Sequence, residues 1–91
     1  MQFLWDETKR LSNIRKHSID FADVLPLFDG DIVTVEDSRI EYGEQRYVTI
    51  GLLKGRTITV VHTEQDNKIR LISARKATKY EEIRYVEQTR N

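Results

Sequence analysis

The sequence predicts an α+β domain: a short N-terminal strand, two helices, an antiparallel sheet of about four further strands, and a C-terminal helix. Three observations carry this. Apolar residues recur at helical spacing within residues 7–28. They give way to β-branched and alternating patterns within residues 32–73, and a helix-start signal appears at Thr78. Helices before and after a run of strands indicate helices packed on one sheet. With 91 residues the chain has room for a single domain, residues 1–91, because a domain typically runs about 100–150 residues.

Taken in order, Phe3-Leu4-Trp5 is the short opening strand. Asp6 reads as a helix N-cap, and a helix is expected over residues 7–16, with Leu11, Ile14 and Ile19 as its apolar stripe. Ser18 or Asp20 can cap a second helix. In it Phe21, Val24, Leu25 and Phe28 form a buried face, and Pro26 imposes a kink or an early end. Asp29-Gly30-Asp31 is a turn. Strand signals follow over residues 32–36, 45–53, 56–63 and 68–73, with Lys54-Gly55 as a hairpin connection. Ile58, Val60 and His62 share one face of their strand; Ile69 and Leu71 share a face opposite Arg70 and Ile72. Thr78-Lys79-Tyr80-Glu81 has the form of a capping box and opens a terminal helix that reaches about residue 88.

Composition narrows the function classes. The chain is 38% hydrophobic and 33% charged, rich enough in apolar residues to fold. No apolar run approaches the roughly 18–20 residues of a membrane span, so no membrane association is expected. Cysteine is absent, which excludes a disulfide framework, a thiolate nucleophile and a Cys-type zinc site. The first residues lack the pattern of a secretory signal, so a cytoplasmic protein is the expectation.

Net charge is zero, yet it is unevenly distributed. Residues 21–45 carry one Lys or Arg against seven Asp or Glu, a balance of −6; residues 46–79 carry eight against two, a balance of +6. Such blocks either neutralise each other across the fold or leave a basic face for phosphate.

Three groups of residues could carry chemistry. Lys9, Asn13, Lys16 and His17 lie at i, i+4, i+7 and i+8, one polar face of the first helix. That face could hold phosphate and move a proton, since histidine titrates near neutral pH, or it could be solvated surface. Glu44 and Arg46 stand two apart at the start of a strand and share a face, as a base beside a phosphate clamp or as an ordinary ion pair. Arg70, Ser73, Arg75 and Lys76 cluster where the last strand leaves the sheet; they form a grip on a phosphate backbone or a solvated corner. His62, on an apolar face, reads as a half-buried core histidine and not as a catalyst. Histidines 17 and 62 lack metal-ligand spacing, so neither a metal site nor a cofactor is expected.

Together these pieces resemble a known family. Trp5-Asp6, Lys9, Asn13, Lys16-His17 and Phe21 resemble the opening pattern W-D-x-x-K-x-x-x-N-x-x-K-H-x-[IV]-x-F of the BrnT toxins. Glu44-x-Arg46 followed by Gly51 is similar to that family's central E-x-R…G strand, and residues 69–77 resemble its I-R-[IL]-I-S-A-R-[KR]-A signature. Ser18 departs from the pattern, standing where many members have Gly after the Lys-His pair.

The resemblance implies a RelE-like fold and a ribonuclease toxin that inhibits translation and growth. It implies a type II toxin–antitoxin pair with a ribbon-helix-helix antitoxin of the BrnA kind, through which alone the toxin meets DNA. It also implies RNA as substrate and metal-independent cleavage. That chemistry needs a base for the ribose 2′-hydroxyl, cations for the phosphorane and an acid for the 5′-oxygen. The catalytic candidates are Lys9, His17, Glu44, Arg46 and Arg75; Lys16, Arg70 and Ser73 are the RNA-binding candidates. A non-catalytic RNA- or protein-binding module on the same scaffold is the competing reading.

Overall fold

The computed structural model describes residues 1–38 and 43–90. Strand β1 (Gln2–Trp5) leads into helix α1 (Glu7–His17). Two 3-10 turns follow, Phe21–Asp23 and Leu25–Asp29, then strands β2 (Val33–Asp37), β3 (Arg46–Leu53), β4 (Arg56–Gln65) and β5 (Lys68–Lys76), and helix α2 (Lys79–Thr89). The expected α+β architecture is present. Its sheet has five strands in the order β1-β5-β4-β3-β2. β2 to β5 form the antiparallel meander, and β1 joins its far edge in parallel with β5.

Local chemistry accounts for the ends of the elements. The Asp6 carboxylate accepts from the backbone N–H of Thr8 and Lys9 at the start of α1, satisfying donors that have no partner within the helix. Ser18 ends that helix in the left-handed region (φ 59°), the position where glycine is favoured. Left-handed pairs at Lys54-Gly55 and Asp66-Asn67 turn β3 into β4 and β4 into β5. The Thr78 capping box is complete: the Thr78 hydroxyl accepts from the Glu81 N–H, and the Glu81 carboxylate from the Thr78 N–H.

Two expectations are corrected. The second helix is replaced by the two 3-10 turns, because Pro26 has no N–H to donate into a longer helix. Its buried side chains are Phe21, Val24 and Leu27, while Leu25 and Phe28 are only partly buried. The stripe expected of α1 is met only in part: Ile19 is buried and Ile14 half-buried, but Leu11 is exposed and Asn13 is buried in its place.

Alternation divides the sheet into two faces. Ile58, Val60, Ile69, Leu71 and Ala74 face the core, where Ile19, Phe21, Val24 and Leu27 cover them. Gly51 allows this covering. A Cβ there would stand 2.8 Å from Leu27 Cγ, so the second 3-10 turn lies directly on β3. Helix α2 covers part of the opposite face, and its Tyr85 hydroxyl donates to the Asp31 carbonyl at 2.7 Å.

Candidate active site

β1 pairs with β5 only from Lys68 to Leu71. Beyond that point Asn13 serves the β5 edge in place of a strand. Its side-chain amide donates to the carbonyls of Ala74 (2.8 Å) and Ile19 (2.9 Å), and its side-chain oxygen accepts from the Ala74 N–H (3.0 Å). Asn13 is therefore a buried clamp and not part of a solvated face. It fixes α1 beside Ala74, which sits in the chain between Ser73 and Arg75. Lys9, Lys16 and His17 remain exposed along α1, and their side chains make no hydrogen bond or ion pair among the described residues. Lys16 and His17 lie in the last turn, where the helix dipole favours positive charge.

The other candidates converge on the face that α2 partly covers, and a β-bulge brings this about. His62 pairs with Leu71 and Val61 with Ser73, so Ile72 is the extra residue. Strict alternation would put Arg70 on the face opposite Ser73 and Arg75. The extra residue turns the strand over once, and all three share one face. Arg70 lies opposite Thr63, Ser73 opposite Val61 and Arg75 opposite Thr59. Arg46 alternates with Tyr47, whose neighbour His62 faces the core, so Arg46 joins the same face.

Each of these arginines is held by a carboxylate. Both Glu44 oxygens accept from Arg70 Nη2, at 2.7 and 2.6 Å, and one accepts from Arg46 Nη2 at 3.4 Å. The Arg70 hydrogen bonds hold the Glu44 carboxyl below its usual range. Five residues along, Arg75 forms a two-pronged pair with Glu81, at 2.7 and 3.0 Å. The Glu81 carboxylate also accepts from the Thr59 hydroxyl (3.1 Å) and the Thr78 N–H. Arg75 above all, with Thr78 and Thr59, lowers the Glu81 carboxyl to about 2.

The structure thus gathers Glu44, Arg46 and Arg70 into one cluster, places Ser73 and Arg75 on the same face, and leaves Lys9, Lys16 and His17 on α1. Glu81 was legible from sequence as a helix cap, but its partnership with Arg75 depends on how α2 packs. His62 is only 1% exposed. One ring nitrogen is 2.7 Å from the Thr49 hydroxyl and the other 3.2 Å from the Thr63 carbonyl, with Tyr47 stacked on the ring and Phe28 at its edge. Burial pushes its imidazole below the ordinary value. The core assignment holds, and burial is fuller than its sequence position suggested. None of the described helices is long and apolar enough to cross a membrane.

Residues 5–81 match the family model described as "Ribonuclease toxin, BrnT, of type II toxin-antitoxin system". No individually curated protein matches the chain.

Proposed function

This chain belongs to the BrnT family of ribonuclease toxins of type II toxin–antitoxin systems, and we propose on that premise that it cuts RNA without a metal ion by activating the ribose 2′-hydroxyl. The observation that supports this reading best is the cluster of Arg46 and Arg70 around Glu44 on the open face of the sheet.

In this mechanism the 2′-oxygen attacks the adjacent phosphorus, the bond to the 5′-oxygen breaks, and a 2′,3′-cyclic phosphate remains on one product. Glu44 takes the hydroxyl proton. Arg70 keeps its carboxylate a weak base in the free protein. When a substrate phosphate draws Arg70 to itself, that hydrogen bond is lost and the Glu44 carboxylate becomes a better proton acceptor where it is needed. Arg46 and Arg70 stabilise the extra charge on the phosphorane. Ser73 and Arg75 hold the neighbouring backbone. From α1, Lys16 adds a backbone contact, and His17 or Lys9 returns a proton to the departing 5′-oxygen.

An RNA cut blocks translation and arrests growth in the cytoplasm. A small ribbon-helix-helix antitoxin of the BrnA kind covers the basic face, and DNA is met only through that complex. A partner that binds only the folded toxin raises its apparent stability, by about 2.7 kcal/mol at a hundredfold excess over Kd. The direct test is cleavage of single-stranded RNA in EDTA, followed by end-group analysis. We expect 2′,3′-cyclic or 3′-phosphate ends, lost in Arg46→Ala and Glu44→Gln. A strict magnesium requirement would sink the mechanism. A second test is titration with the product of the neighbouring gene, which should raise the melting temperature and stop cleavage.

A further inference from the structure

The open face holds a feature that the cleavage chemistry leaves unused. Between the sheet and the start of α2 lies a cavity of about 240 Å³. Val33, Val35, Val48 and Ile50 form its floor, and Tyr80 and Arg84 form its wall. Tyr80 is 66% exposed and Val35 51%, so an aromatic ring and apolar floor stand open to solvent. Isolated exposed apolar residues are ordinary; a concave group of them beside a charged site is not.

The wall is held in place. Arg84 Nη1 donates to the Tyr80 hydroxyl at 3.0 Å, and its guanidinium carbon lies 5.8 Å from the centre of the tyrosine ring. The cavity is also continuous with the arginine face at two points. Glu81 lines it and binds Arg75; Asp37 lines it and lies opposite Arg46 across the β2–β3 pair. Arg84 lines the cavity with the acidic residues Glu36, Asp37 and Glu81, and Arg75 and Arg46 adjoin it through Glu81 and Asp37.

We propose that this cavity is a nucleobase subsite, taking one unpaired base of the RNA strand stacked on Tyr80 while Arg46 and Arg75 hold the phosphates on either side. The inference rests on the ribonuclease reading and extends it to how the strand is seated. The cavity is smaller than the roughly 300–1,000 Å³ of sites for drug-sized ligands and suits one planar ring system. Flat, unpaired bases stack on aromatic rings and on guanidinium planes, which is how single strands are held beside a positively charged track. A duplex cannot use such a site without losing a base pair, so the subsite selects single-stranded RNA.

The test uses the whole protein and a short single-stranded RNA with 2′-O-methyl groups, which removes the nucleophile. Affinity is read by fluorescence anisotropy for the intact strand and for strands with one base deleted at each position in turn. One deletion should weaken binding about 5- to 150-fold, the size of one base–aromatic stack. Tyr80→Ala should weaken the intact strand by a similar factor and leave that base-deleted strand unaffected, with an unchanged melting temperature. Tyr80→Phe, which keeps the ring and loses only the Arg84 hydrogen bond, should weaken binding much less than Tyr80→Ala. If Arg46→Ala weakens binding but Tyr80→Ala does not, the subsite is refuted and the ribonuclease reading survives. If the unaltered protein binds no RNA, both fall.

Discussion

On the face of the sheet toward the 3-10 turns, and along the β5 edge beside it, polar side chains are buried and their hydrogen bonds are met inside the protein. Asn13, Thr49 and His62 are all of this kind. On the face toward α2, Arg46, Arg70 and Arg75 stand partly exposed, tethered to carboxylates at their tips. A buried polar group without a partner carries its full desolvation cost, so the first set must be matched permanently. The second set is solvated enough to exchange a carboxylate for a phosphate. Residue type does not separate the two. One histidine packs in the core and the other sits in the open on α1.

The sharpest way to break that contrast is Asn13→Ala. It leaves the Ala74 N–H and the Ala74 and Ile19 carbonyls without their partner, and we expect a loss of about 2–4 kcal/mol in chemical denaturation. Lys9→Ala, one turn away and exposed, should stay within about 0.5 kcal/mol. Equal losses at both positions would erase the distinction between the clamp and the solvated groups beside it.

Next in size is Gly51→Ala. The new Cβ meets buried Leu27 Cγ at 2.8 Å, and overpacking of this sort costs about 1–3 kcal/mol. Thermal melting decides this, and an unchanged melting temperature would show that the second 3-10 turn can move off β3.

Acid should separate the histidines. Burial depresses the His62 imidazole in the folded protein, so the unfolded chain takes up a proton at about pH 6.5 that the folded protein resists. Stability is then complete above that pH and falls as pH drops toward the folded-state value. Denaturation at pH 7.5 and 5.5 should show this decline in the wild type and in His17→Ala alike. A decline that vanished in His17→Ala would reverse the roles assigned to the two residues.

Arg75 belongs to both regimes. It faces the site, yet its pair with Glu81 pins the start of α2. Arg75→Ala should therefore lower stability by about 1 kcal/mol as well as impair RNA binding, whereas Arg46→Ala should impair binding with a smaller change in stability. The smallest effect expected is a gain. Ser18→Gly relieves a left-handed backbone at φ 59° and should add about 0.5 kcal/mol, the residual after the greater chain entropy of glycine.

Much of the fold was legible in short stretches of chain. Asp6 marks the start of α1, Thr78 and Glu81 mark the start of α2, Lys54-Gly55 marks a hairpin, and alternation at Ile58, Val60 and His62 identifies a core face. These signals are local because caps, tight turns and strand alternation involve residues within about four positions of one another. Glu44 and Arg46 differ from these: β3 begins at Arg46 and Glu44 lies in a bend before it, so their contact does not come from the strand spacing expected of them.

Only the tertiary structure decided the rest. Asn13 becomes a clamp because β1 ends at Trp5 and leaves the N–H and C=O of Ala74 open, 61 residues along the chain. Pro26 breaks the expected helix, but which side chains then reach the core is settled by the fit of Leu27 against Gly51. The site itself depends on one unpaired residue. Ile72 has no local mark of a bulge; it is extra only because β4 pairs with Leu71 on one side of it and Ser73 on the other. Register between strands is a property of the pair. Sequence therefore marked Arg46, Arg70, Ser73 and Arg75 as candidates, and strand pairing determined that Arg70, Ser73 and Arg75 present themselves on one face with Arg46.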